Sequence, residues 1–399
     1  MKNFSPLIAL TLLAGCLTLS AMRANAQEQQ AQQAQQAQQA QIERDTYAAC
    51  WDKEKKDEAK CIPLCTELAE KYPASPYAKN CKTKIDNKKI ADLLQKFQNG
   101  LKGYYDAPDA GRLELLFASG EEFLKAQPGQ QYVIGRMALA GADGATGGVG
   151  YKNLDKVKSY AEDALKTFEP ATAPEGWKKE EWEPMRELVM AQMNQYLGWQ
   201  LIIPTKGDQN LALDYLAKAI QVRGKDNVGW KDPYNYYLRQ IVYYNQYIEA
   251  RKPYDAMTDE QKLSDAGKET LKKIIDLLDN KLIPEYARVL ATATSKETKP
   301  YSDDVKPNFD TYWDYRTGAK DKAADYIKNY ASDPTIDSVP IPAKPADASG
   351  LNAPAPTTAP GAVKLQSTKA SVAPAASSNG AKSAPAKGKT KPKSKKRGR

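Results

Sequence analysis

Histidine is missing from all 399 residues. That excludes imidazole acid–base chemistry, histidine-based catalytic triads and histidine-containing zinc sites. Phenylalanine is scarce, 6 residues against 23 tyrosines, so most of the aromatic surface carries a polar handle. No G-x-S-x-G, H-E-x-x-H or C-x-x-C pattern occurs, which removes the common marks of serine hydrolases, zinc proteases and thioredoxin-like redox centres. The glycine-rich stretch Gly141–Gly150 lacks a Gly-Lys-Ser/Thr ending and has no strand before it, so it reads as an inter-helix loop rather than a phosphate cradle. Acidic pairs such as Glu180-Glu181 and Asp303-Asp304 are sequence neighbours that water can solvate. The expectation is a protein with no catalytic residues, no metal and no cofactor.

Long apolar runs are also few. The one at Pro6–Leu19 follows Lys2 and ends at Ala24-Asn25-Ala26, the pattern of a secretory signal peptide spanning 1–26. A second reading stays open: Leu13-Ala14-Gly15-Cys16 resembles a bacterial lipoprotein signal and would leave a lipidated Cys16. Both readings export the chain, to the periplasm or beyond, or to a membrane anchored at Cys16, with no transmembrane helix in the mature protein.

The formal charge of +9 hides an asymmetry. Val339–Arg399 holds 12 Lys and Arg against Asp347 alone, and the first 26 residues hold two cations and no acid; the body from Gln27 to Ser338 is therefore net −4. The Pro-, Ala- and Lys-rich segment 339–399 cannot bury enough apolar surface to offset its ordering entropy, and reads as a disordered basic tail. Its cations suit an anionic envelope polymer. With no interleaved aromatics, the tail has no means of specific nucleic-acid recognition. At the other end, the Gln/Ala tract 27–41 has no apolar face and reads as a spacer, either a frayed helix or disordered.

Between these segments, residues 42–338 read as helix after helix. Apolar residues recur at three- and four-residue steps, and strand-type alternation is scarce. Breaks fall at Tyr72-Pro73, Pro108-Asp109, Pro128-Gly129, Pro170, Pro204, Gly224 and Pro233, with longer ones at Gly141–Gly150, Glu169–Glu181 and Ser295–Pro307. The fold class expected is all-α, an α-solenoid of antiparallel helix pairs flanked by disordered N- and C-terminal segments.

The pairs share a positional pattern. Leu197-Gly198, then Ala212-x3-Leu216-x2-Ala219, places small residues where two helices approach most closely. Ile134-Gly135 with Val157-x3-Ala161-x2-Ala164 repeats the spacing, and Cys61-x3-Cys65-x2-Leu68-x4-Pro73 fits the same grid. Together these residues resemble the tetratricopeptide repeat, and Tyr72-Pro-Ala-Ser-Pro-Tyr-Ala78 looks like the turn of exported bacterial members, including outer-membrane assembly lipoproteins. No copy carries the first-helix tryptophan, and the period drifts beyond 34 residues. The resemblance implies a concave groove that binds proteins or peptides.

Outside Cys16, four cysteines remain: Cys50, Cys61, Cys65 and Cys81. In an exported chain an even number reads as disulfides. Cys61 and Cys65 lie one turn apart on one helical face and cannot easily bond to each other. Cys65 and Cys81 are nearly symmetric about the Tyr72–Pro76 turn, and Cys50 and Cys61 about the lysine-rich turn at 53–56. The pairing Cys50–Cys61 with Cys65–Cys81 is favoured among three connectivities, although Pro63 is expected to kink the second helix or delay its start.

Tyrosines concentrate in Tyr234–Tyr254. On a helix Tyr236, Tyr243 and Tyr247 form one stripe, and Tyr237 and Tyr244 the next. Two stripes exceed what one buried seam needs, so one can line a groove, with Arg239 beside it for a carboxylate. Tyr236, Arg239, Tyr243, Tyr244 and Tyr247 are therefore the candidate partner-binding residues; the competing reading is a tyrosine core with hydroxyls at its rim. The function expected is a non-enzymatic protein- or peptide-binding scaffold of the bacterial cell envelope. The alternative is a lipid-anchored component of outer-membrane or cell-wall assembly.

Overall fold

The computed structural model describes residues 27–48, 58–203, 207–224 and 229–342. Residues 1–26 (expected to be a signal peptide and including Cys16), residue Cys50 and the basic segment beyond residue 342 lie outside them. The described residues fall into two compact units, 27–93 and 94–342.

In the first unit, residues 27–48 form one helix, α1. The Gln/Ala tract is thus helical rather than disordered. Gln and Ala are good helix formers, and one-turn hydrogen bonds such as Gln39 to Glu43 (3.0 Å) support it. α2 (Glu58–Lys71) and the first half of α3 (Pro76–Asp106) form the hairpin expected around Tyr72–Pro76. α2 runs through Pro63 instead of starting late. A proline there forfeits a ladder bond, which burial of Cys61, Cys65 and Leu68 beside Ala78 and Cys81 offsets. Cys65 and Cys81 form a disulfide with their Cα atoms 4.8 Å apart. α1 joins this cluster through Tyr47, whose ring lies 4.7 Å from that of Tyr77.

The second unit continues with α4 (Ala110–Ala126), α5 (Gln131–Thr146), α6 (Leu154–Phe168), α7 (Lys179–Ile202), α8 (Gln209–Gln221) and α9 (Pro233–Asp255). Then come α10 (Asp259–Leu263), α11 (Asp265–Leu277), a π turn (Leu278–Leu282), α12 (Ile283–Thr292), α13 (Lys299–Thr317), a 3₁₀ turn (Lys320–Lys322) and α14 (Ala323–Lys328). There is no strand among the described residues beyond the isolated bridge between Arg223 and Gly229. No described helix is long and apolar enough to cross a membrane.

Each helix from α4 to α9 packs on its sequence neighbour, and α7 also touches both α5 and α9. Small residues allow this. A Cβ on Gly135 of α5 would stand 2.7 Å from Met185 Cε and 2.9 Å from the Phe168 ring. One on Gly198 of α7 would stand 2.9 Å from Leu216 Cγ. The partner faces Val157/Ala161/Ala164 and Ala212/Leu216/Ala219 are fully buried.

Two expected breaks are shorter than the sequence suggests. α5 continues through Gly141 and Gly144 to Thr146. There glycine serves close packing: Cβ atoms at 141 and 144 would meet Val157 and Leu113 at 3.0 and 2.5 Å. α13 likewise starts at Lys299 and carries Pro307 inside it, its end set by Gly318 in the left-handed conformation (φ 63°).

Candidate functional site

Asp232 caps α9 by accepting from the Tyr234 N–H at 2.9 Å, and Gln195 of α7 donates to its other oxygen at 2.6 Å. Burial raises the Asp232 carboxyl above its ordinary value, against these hydrogen bonds. The cap fixes where the tyrosine-rich helix begins. α9 then packs against α7, α8, α11, α12 and α13, so it is covered on several sides. Tyr236 and Tyr247 are completely enclosed, and Tyr243 and Tyr244 keep 8% of their surface.

The hydroxyls find partners at the edges of this core. Tyr236 donates to the Trp230 carbonyl at 2.5 Å and Tyr237 to Asp304 at 2.9 Å. Gln240 donates to the Tyr286 hydroxyl at 3.3 Å. Tyr247 meets the Tyr312 ring edge-on, centroids 5.4 Å apart. The two stripes are both accounted for by packing on more than one side of α9.

Arg239 is different, because it opens on a cavity of about 210 Å³ lined also by Lys281, Glu285, Arg288, Thr335 and Asp337. Its Nη2 lies 3.0 Å from Glu285 Oε1, and Arg288 Nη1 reaches the same oxygen at 2.7 Å. Burial works against charge on Arg239, and the Glu285 carboxylate with Tyr243 and Tyr236 together outweighs it. Arg288 also donates to the Pro334 and Ile336 carbonyls at 2.9 and 2.8 Å, which holds the extended segment after α14 along the cavity wall. Glu285 is 1% exposed, and its Oε2 has no hydrogen-bond partner among the described residues. Three cations over two carboxylates leave the cavity net positive.

A second polar site, not singled out from sequence, lies where α5 faces α3. Tyr132, Arg136 and Asp143 follow one another along α5, and Tyr104 and Tyr105 come from α3. Arg136 is only 6% exposed, yet its Nε has no hydrogen-bond partner and no carboxylate pairs with its guanidinium among the described residues. The group rests over the Tyr132 ring, 5.4 Å from the centroid. Burial pushes the Tyr105 phenol up to about 12; the Asp143 carboxylate adds to this and the Arg136 cation opposes it. Tyr104 donates to Asp143 at 3.3 Å. The only signal in the sequence is a lone arginine within the small and apolar run Val133-Ile-Gly-Arg-Met-Ala138.

Of the four candidate disulfide cysteines, the structure joins Cys65 to Cys81 and buries Cys61 beside them; Cys50 is outside the described residues. No family model matches the chain, and no curated protein or solved structure matches it either.

Proposed function

We propose that this protein is an exported helical-repeat scaffold of tetratricopeptide type that binds proteins or peptides of the bacterial envelope. The observation that carries the reading is the alternate-helix contact of α7 with α5 and with α9, each helix also packed on its sequence neighbours. Helices related in this way form an inner row, and such rows present extended binding faces. The disulfide between Cys65 and Cys81 suits an oxidising compartment. Arg239, which opens on the net-positive cavity, supplies one contact point, and the basic tail adds affinity for anionic envelope polymer. Immobilised full-length protein should retain a defined set of envelope proteins that a heat-unfolded control does not. Identical recovery by both would refute the reading.

A lipid-anchored version is favoured by one specific observation. The largely exposed helix 27–48 would place the α2–α3 hairpin about 33 Å further from Cys16 at 1.5 Å per residue. Mass spectrometry of the native N-terminus decides it: acylated Cys16 supports the anchor, and a free Gln27 rules it out.

A further inference from the structure

We infer that Arg136, seated over the Tyr132 ring, is a receiving site for a single carboxylate of a bound peptide, an inference that rests on the peptide-binding reading above. Buried arginines are ordinarily held by carboxylates or by several carbonyls, because an unpaired buried charge is costly. The other buried arginines here follow that rule: Arg288 has Glu285 and two carbonyls, and Arg316 holds Asp279 with two bonds of 2.7 and 2.8 Å. Arg136 stands apart, 6% exposed, with an unpartnered Nε and an aromatic ring as its neighbour.

The surroundings select the ligand. A guanidinium fork matches two coplanar oxygens of a carboxylate, and an aromatic face beneath it leaves the fork free to engage them. Asp143, two turns further along α5 and hydrogen-bonded to Tyr104 at 3.3 Å, brings the charge of the surroundings to zero without covering the guanidinium. A monoanion meets the uncovered fork at the cost of one excess charge. A phosphate dianion would leave two, with no second cation to meet them. Tyr105, 40% exposed, gives the peptide an apolar edge to lie against.

The test measures thermal unfolding of the full-length protein with sodium acetate, sodium phosphate or sodium chloride at matched ionic strength. Acetate at ten times its dissociation constant should raise Tm by ~2 °C over chloride. The Arg136→Met variant should lose this rise and, freed of an unpaired buried charge, melt no lower than the wild type in chloride. Arg136→Lys keeps the charge without the fork, should respond to acetate less than half as strongly, and serves if the Met variant does not fold. No acetate response in the wild type, or an equal response in both variants, overturns the site. A phosphate response without an acetate response overturns the carboxylate assignment. Envelope-protein capture by wild type and variant is scored separately. Capture that survives Arg136→Met unchanged sinks the site while the scaffold stands, and no capture at all sinks the scaffold.

Discussion

Gly198 on α7 lies so close to Leu216 on α8 that a methyl group at 198 would stand 2.9 Å from Leu216 Cγ and 3.3 Å from the Ala212 carbonyl oxygen. That distance sets the separation of the two helices at this point. Gly198→Ala gains up to ~1 kcal/mol of helix propensity and loses ~1–3 kcal/mol to overpacking, for a net destabilisation. Gly198→Val should cost more. The control is Gly103 on α3, where an added methyl group would have nothing within 4 Å; Gly103→Ala should stabilise by ~0.5–1 kcal/mol. Urea unfolding midpoints of the three variants check the order.

Reduction should act on the α2–α3 hairpin. Cys65 and Cys81 enclose a short loop, and their bond is expected to contribute ~2–4 kcal/mol by restricting the unfolded chain. Without reductant, neither residue should react with iodoacetamide in the native protein. With reductant, hydrogen exchange should rise across Glu58–Lys71. Labelling of Cys65 and Cys81 in the unreduced protein would contradict the bond.

Glu285 holds two arginines at once, the half-buried Arg239 at 3.0 Å and the buried Arg288 at 2.7 Å. Glu285→Ala leaves Arg239 and Arg288 without their counter-charge and should cost ~3–5 kcal/mol. Glu285→Gln keeps an acceptor and should cost less. Arg288→Ala should chiefly release the segment after α14, whose Pro334 and Ile336 carbonyls it holds. Limited proteolysis near Asp333–Ile341 is the readout.

Alkaline pH should unfold the protein steeply. Burial pushes Tyr247 up to about 12 and Tyr105, helped by Asp143, to the same value; Tyr104, Tyr286 and Tyr312 are raised further by burial. A phenol raised in the folded state contributes no stability below its unfolded value of about 10 that depends on pH, so the helical state holds up to there. Above that value the unfolded chain ionises while the folded phenol stays protonated, and stability falls steadily as pH climbs towards the folded value. Absorbance at 295 nm should therefore show an early titration of exposed tyrosines near pH ~10. A later cooperative step should coincide with loss of helical circular dichroism.

Helix pairing is legible in the sequence because its devices are local. A glycine or alanine at the close approach, three or four residues from a large apolar partner, marks both faces, as at Gly198 with Ala212 and Leu216. The same logic places Cys65 opposite Cys81. Gly141 and Gly144 read as a loop because glycine marks both turns and tight helix contacts, and only the neighbours Val157 and Leu113 distinguish the two. The tyrosines of α9 are ambiguous for a related reason, since periodicity shows which residues share a face but not how many faces are covered. Arg136 stays hidden because an arginine in an apolar run shows its lack of a partner only in three dimensions. Glu285 and Arg288, three residues apart on α12, do not stand out in the sequence, because such spacing is common on solvated helix faces and only burial sets this pair apart.

Whether α5, α7 and α9 form the proposed inner row and meet a partner is tested most directly by photocrosslinking in cells. Tyr132 of α5 or Trp199 of α7, both half-buried, is replaced with p-benzoylphenylalanine, alongside the exposed Leu211 of α8 as a control off that row. A scaffold of the proposed kind gives adducts with the same envelope protein from 132 and 199 and none from 211. Adducts from 211 alone, or from no position, would contradict it.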